Sequence, residues 1–270
     1  NPMSDMKEWR LILDRTPQKG SWNMAADDYL FQSLGNETST YLRFYQWERP
    51  TVSIGYSQKV TQIVDLDKCL SMGIALVRRI TGGKLVLHHQ EVTYSLCSSD
   101  SGLFTSKLMD SYRLISEALI RGLEKMGIKC RLAGNTPSSY ARGLLPCFSH
   151  PAQNEIEIDG KKIIGSAQKR AGGRFIQHGS IPLKKDEELL KSISKLSREG
   201  FRMNMTSLSD TLGREVDFDW VVKHLQSGIS EYFNIHLNLH LFSEEEKEAI
   251  RKIQAERYDN PAWTYGIRPD

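Results

Sequence analysis

No apolar run in this 270-residue sequence approaches the roughly 18 residues that a membrane-spanning helix requires. The opening stretch through Trp9 is polar and lacks the apolar centre of a secretory signal, so neither membrane insertion nor export is expected. Asn1 and Pro2, ahead of Met3, carry no weight. Cysteine is scarce: Cys69, Cys97, Cys130 and Cys147 form no CxxC pair and no Cys/His set at ligand spacing. That excludes a structural zinc site and a disulfide scaffold, and it points to free thiols in a reducing, cytoplasmic setting. Neither sign of charge dominates, with 36 basic against 33 acidic residues and a net charge of +3. A nucleic-acid binder would show a strongly basic face, and this chain does not. The local clusters Arg78-Arg79, Lys169-Arg170 and Lys184-Lys185 could meet a small acidic partner. Linkers, repeats and low-complexity tracts are also missing, so residues 9–270 read as a single domain.

Alternating and helical patterns are both present. Residues 9–13, 40–47, 51–56, 75–79, 85–88 and 92–97 read as strands, rich in β-branched and aromatic side chains. A helix is expected from Asn23 to Gly35, with Asp27 and Asp28 taken as acids favoured by the dipole near its start. A second is expected over 65–72. The longest helical pattern covers 106–126, where Leu108, Met109, Tyr112, Ile115, Leu119, Leu123 and Met126 recur every three or four residues and Gly127 supplies the stop. Residues 133–144 are rich in Gly, Asn, Pro and Ser and read as a mobile loop. Asp159-Gly160, between the strand-like runs 155–158 and 161–167, is a strong hairpin signal. A neighbouring strand follows over 174–183. From about residue 184 the pattern turns helical, over 187–198, 218–233 and 243–258. The expected fold is α/β of the α+β kind, with mixed sheets flanked by helices and a helical C-terminal appendage.

Cys147 stands apart from the other cysteines. Cys69, Cys97 and Cys130 lie in apolar-periodic elements and read as inert small hydrophobes, whereas Cys147 ends a polar loop in Pro146-Cys147-Phe148. A thiolate needs a nearby cation, and Lys162 can supply one because the hairpin folds back towards that loop. The bland reading of Lys162 is a solvent-facing strand start. Arg78-Arg79-Ile80-Thr81-Gly82-Gly83 sets guanidinium groups beside a glycine pair, either a cradle for an oxygen-rich ligand or a tight turn with solvated arginines. His88 and His89 point to opposite faces, so at most one enters a given pocket, and neither has a metal-ligand companion. Gly165-Ser166-Ala167 removes bulk from a strand, either for a substrate chain or for a bulge. His178-Gly179-Ser180 ends a neighbouring strand and could line the same cleft.

Taken together, Arg78 to Gly83, Leu87-His88, Glu91-Val92-Thr93-Tyr94-Ser95, the Gly160-Lys161-Lys162-Ile163-Ile164-Gly165-Ser166-Ala167-Gln168 run and Gln177-His178-Gly179-Ser180 resemble the biotin/lipoate protein ligase and lipoyl/octanoyl transferase superfamily. Trp22-Asn23-Met24-Ala25 and the stretch from Tyr258 to Trp263 add to the likeness. The resemblance implies a class II synthetase-like catalytic domain. Pro146-Cys147-Phe148 resembles the cysteine-dependent octanoyltransferase branch. That branch implies Cys147 as acyl-thioester nucleophile and Lys162 as the cation that lowers its pKa and contacts the acyl carbonyl. It further implies a substrate pocket drawn from Arg79, Thr81, Gly82, Gly83, His88, Gly165, Ser166, Ala167, His178 and Gly179. The implied donor is acyl carrier protein, the implied acceptor the glycine-cleavage H protein or another lipoyl domain, and no cofactor or metal is needed. Lys84-Leu85 depart from the family's usual small or Arg residue followed by Ala, which implies a narrower or differently charged pocket roof; His89 stands where the ATP-dependent ligases often carry Asp, and no accessory adenylation domain is evident. The alternatives are a lipoate or octanoate ligase using ATP and Mg²⁺, an amidotransferase between lipoyl carriers, and a non-catalytic acyl- or carrier-binding module.

Overall fold

A computed structural model describes residues 5–35, 37–134, 154–195 and 204–266. In chain order the first half contains β1 (Lys7–Leu13), α1 (Gly20–Ser33), β2 (Thr40–Tyr45), β3 (Thr51–Ile54), α2 (Val60–Ile63), α3 (Leu66–Ser71), β4 (Ala75–Arg78), β5 (Val86–His88), β6 (Glu91–Ser98) and α4 (Leu108–Lys125). The second half contains β7 (Arg131–Leu132), β8 (Ile156–Ile158), β9 (Lys161–Ala171), β10 (Arg174–Pro182), α5 (Glu187–Ile193), α6 (Leu208–Leu212), α7 (Phe218–Phe233), β11 (Ile235–Leu239) and α8 (Glu244–Ile253). A π-helical turn (Gln254–Tyr258) and α9 (Pro261–Tyr265) close the chain. No helix among the described residues is long and apolar enough to cross a membrane.

The main sheet runs β11-β1-β2-β6-β10-β9-β8-β7, and a smaller one runs β4-β3-β5. Alternation along the central strands divides the main sheet into two faces. On one, Trp9, Leu11, Leu42, Phe44, Val92, Tyr94, Leu96, Phe175 and Ile181 pack under α4 and α7. On the other, Ile12, Tyr41, Tyr45, Cys97 and Ile176 pack under α1 and α8. The amphipathic stripe read for α4 is buried from Tyr112 to Met126, whereas Leu108 and Met109 at its start are exposed; Gly127 at φ +88° ends the helix as expected. Where α4 crosses α7, a Cβ on Gly228 would collide with the backbone of Gly122, so the glycines allow the helices to touch.

The expected hairpin forms with Ile158 opposite Lys161. Asp159 and Gly160 both hold positive φ, as a two-residue type I′ turn requires. Other elements differ from expectation. α1 begins at Gly20, which moves Asp27 and Asp28 out of the first turn and into the buried middle of the helix. The C-terminal part contributes a strand, β11, that pairs in parallel with β1. Its IHLNL run alternates strictly, but it is only five residues long and sits between two longer helical patterns. The predicted helix over 243–258 is divided into α8 and the π turn.

Candidate active site

A cavity of about 410 Å³ opens between the main sheet, the small sheet and the start of α4. Tyr45 of β2, Thr93 of β6, His178 and Ser180 of β10, and Gly165 and Ala167 of β9 come from the main sheet. Ser53, Val86 and His88 come from the small sheet, and Leu108, Met109 and Tyr112 from α4. The predicted residues Arg79, Gly82, Gly83, His88, Gly165, Ser166, Ala167, His178 and Gly179 all line this cavity. Thr81 does not. It is fully buried, with Oγ1 2.6 Å from His178 Nε2.

Lys162 is buried, against the bland reading of a solvent-facing strand start. A register shift between β8 and β9 sets Ile156 opposite Ile164 but Glu157 opposite Lys162, and residues 162 to 164 are all buried. The lysine lies across Gly165, where an added Cβ would collide with its Cε and stand 2.7 Å from its Nζ. The missing bulk at Gly165 therefore admits the lysine side chain. Lys162 Nζ pairs with Glu155 Oε2 at 3.0 Å. The Tyr112 hydroxyl reaches both Glu155 Oε1, at 3.4 Å, and Ser166 O, at 3.2 Å. Cys147, the predicted nucleophile, and most of the predicted 133–144 loop lie outside the described residues.

Arg78 and Arg79 separate as neighbours on a strand must. Arg78 points away from the cavity, donating to the carbonyls of Gly55, Tyr56, Gln58, Trp263 and Thr264, and so fastens α9 to β4. Arg79 lines the cavity and braces its glycine turn through Gly82 O and Lys84 O, both at 2.9 Å, while Nη1 donates to Ser53 Oγ. The histidines divide in the same way. His88 is buried between Ser53 Oγ (2.7 Å) and Glu91 Oε2 (3.0 Å) and stacks on Trp47, whereas His89 is half exposed beside Asp186.

Behind the cavity wall runs a buried chain of polar contacts. His178 Nδ1 meets Asp27 Oδ2 at 3.0 Å, Tyr45 donates to the same oxygen, and Arg43 pairs with Asp27 Oδ1 at 2.9 Å. Burial pushes the His178 pKa below its ordinary value, with Asp27 opposing. The imidazole is then neutral, Nδ1–H donating to Asp27 and Nε2 accepting from the Thr81 hydroxyl. Burial works against the Asp27 carboxylate, but the His178 hydrogen bond and the Arg43 charge outweigh it and hold its pKa below the usual value. A second chain is centred on Glu91, which accepts from Thr93 at 2.5 Å and from Ser180 at 2.8 Å. The other cysteines bear out the inert reading. Burial raises the Cys69 thiol, lifts Cys97 well above its ordinary value and pushes Cys130 up to about 12.

Asp27, Glu91, Glu155, Tyr94 and Tyr112 were not among the sequence candidates. For Asp27 a signal existed: two acids standing in the apolar-periodic run of α1. For Glu91 and Thr93 it was a polar pair two residues apart on a strand whose alternate positions, Val92 and Tyr94, are apolar. Among the described residues, no group of three or more His, Cys, Asp or Glu side chains is arranged to hold a metal ion.

The lipoyl protein ligase A/B catalytic domain family matches residues 19–230. The chain is 34% identical to the octanoyltransferase LipM of Carboxydothermus hydrogenoformans over 96% of its own length and 99% of that protein's. It is 37% identical to the LipM of Clostridioides difficile over 94% and 97%. Among solved structures, a lipoate-protein ligase A bound with ATP superposes with a TM-score of 0.84 at 26% identity, covering 97% of this chain and 100% of that one. The bi-partite lipoate protein ligase of Thermoplasma acidophilum, described with its E2 lipoyl domain, gives 0.81 at 26% identity over 98% of both chains.

Proposed function

The chain belongs to the lipoyl protein ligase A/B catalytic domain family, and from that premise we propose how it acts as an octanoyltransferase. Cys147 takes an octanoyl group from acyl carrier protein as a thioester and passes it to a lysine of a lipoyl domain, such as that of the glycine-cleavage H protein, in the cytoplasm. In the first step the Cys147 thiolate attacks the donor carbonyl and the carrier's thiolate leaves. In the second, the acceptor amine attacks the Cys147 thioester, an amide forms, and the displaced sulfur takes up the amine's proton. Donor and intermediate are both thioesters of nearly equal energy, so the transfer needs no ATP. Lys162 favours the thiolate over the thiol and stabilises the oxyanion that develops in each step.

The observation that carries this reading is a buried lysine behind the wall of an acyl-sized cavity, lying across Gly165 and paired with Glu155, both of which line it. Incubation with octanoyl-acyl carrier protein should add one octanoyl mass to a Cys147-containing peptide, and hydroxylamine should remove it. Full transfer activity in a Cys147→Ala protein would sink the mechanism. The likeness to ATP-bound ligase A favours one second reading, an ATP-dependent ligase. It requires modification of the acceptor from free octanoate or lipoate with ATP and Mg²⁺, and indifference to loss of Cys147. Octanoylated H protein serving as donor would indicate amidotransfer instead, and stoichiometric binding without an acyl-enzyme would indicate a binding module.

A further inference from the structure

An acyl group presented by a carrier protein is tethered at its carbonyl to something far too large to enter a cavity of about 410 Å³, so the chain goes in tail first. The cavity has a mouth and a closed end. Leu108 and Met109, 41% and 42% exposed, stand at the mouth, while Met24, Tyr45, Ser53 and Thr93, each 3% exposed or less, line the buried part. The tail ends among these four. Three of them are locked by hydrogen bonds. Tyr45 donates to Asp27 Oδ2 at 2.7 Å, Ser53 Oγ accepts from Arg79 Nη1 at 2.6 Å and lies 2.7 Å from His88 Nε2, and Thr93 Oγ1 accepts from Trp47 Nε1 and donates to Glu91. Moving any of the three would leave a buried donor or acceptor unpaired. Met24 is the apolar member, an unbranched side chain that fits its shape to what lies beside it. Its backbone is anchored. Asn23 accepts from Arg43 through its backbone and side-chain oxygens, at 3.1 and 2.9 Å, and its amide donates to Gln46 O at 2.9 Å. Gly20, one turn earlier on the same face of α1, lies so close to the small sheet that an added Cβ would stand 2.8 Å from Thr51 Cγ2.

Resting on the reading of the chain as an octanoyltransferase fed by a carrier protein, we propose that Met24 is the specificity-determining stop at the closed end of the cavity, and that the reach of its side chain sets the longest acyl group transferred. The terminal methyl of an octanoyl chain packs against the Met24 thioether. Two further carbons meet a helix that cannot retreat, because Arg43 and the contact at Gly20 hold it to β2 and to the small sheet. Shortening the Met24 side chain opens that end to longer tails while leaving the hydrogen-bonded wall as it stands.

The test offers octanoyl- and decanoyl-acyl carrier protein as competing donors and reads the modified lipoyl domain by intact mass. Wild type should favour octanoyl. Met24→Ala should raise the decanoyl-to-octanoyl ratio roughly fifteenfold, about fourfold for each added methylene that finds apolar contact. Should Met24→Ala fail to fold, Met24→Val, which removes less, should raise the same ratio about fourfold. Leu30→Ala is the control for a merely structural effect, because Leu30 is fully buried on the same helix and does not line the cavity. It should lower stability and keep the wild-type ratio. A folded Met24→Ala, or in its place Met24→Val, with the wild-type ratio overturns the proposal, as does a wild type that transfers decanoyl as readily as octanoyl or a Leu30→Ala protein whose ratio moves as far. A wild type that moves no acyl group from acyl carrier protein overturns the carrier-fed transfer reading and this proposal with it, so the two failures are distinguishable.

Discussion

The two faces of the main sheet are built from the same strands, yet they solve different problems. Under α4 and α7 the buried side chains are mostly apolar and shape fixes most of the packing, with Gln177, bonded to Tyr94 and Gln168, a polar exception. On the opposite face the same strands present Thr93, His178 and Ser180 to the cavity and Arg43 behind its wall, all nearly or fully buried, and charge pairing fixes the geometry. Burying ions costs solvation that their attraction only partly repays. What the polar face contributes is orientation, with His178 held in one tautomer and the cavity wall held in place. The apolar face should therefore answer to volume and the polar face to charge.

Asp27→Asn breaks the comparison hardest. The change keeps the volume but removes the charge between Arg43 and His178, and it should cost about 3 kcal/mol in chemical denaturation, the low end for a broken buried pair because Asp14 still holds Arg43. Gly228→Ala tests the apolar face by volume alone. Its new methyl collides with Gly122, and the expected loss is ~1–3 kcal/mol with octanoyl transfer retained at low temperature.

Acid should separate the faces more gently. His178 has its pKa lowered in the fold, so below its ordinary 6.5 the unfolded chain takes up a proton that the folded one refuses, and stability falls with falling pH. The slope from this one group is at most ~1.4 kcal/mol per pH unit. Asp27, also lowered, adds a second loss as pH drops through and below its ordinary 3.8. His178→Gln should flatten the first decline in denaturation curves recorded from pH 7 to 5. The smallest effect belongs to Leu119→Met, a near-isosteric swap on the apolar face, which should cost less than ~1.5 kcal/mol with no change in pH dependence. A loss as large as that of Asp27→Asn would erase the distinction.

Much of the scaffold was legible because it rests on local chemistry. Asp159-Gly160 fixed a hairpin through the positive φ its turn needs, and the three-to-four spacing of α4 marked its buried stripe. Strand alternation foretold that only one of His88 and His89 enters the cavity. The missed residues were those whose role depends on a distant partner. Asp27 meets His178 across 151 positions, and Tyr112 reaches Glu155 across 43. Arg78 and Arg79 were indistinguishable in a motif, yet one fastens the C-terminal helix and the other braces the turn.

By itself, then, the sequence determined the periodicities, the turns and the ordered set of motifs that mark the family, because each depends on residues near one another in the chain. Only the tertiary structure decided that Lys162 is buried, that Gly165 is the gap it occupies and that Glu155 is its counter-charge. Burial and charge pairing arise when separate strands and helices close on one another, and no local pattern carries that information.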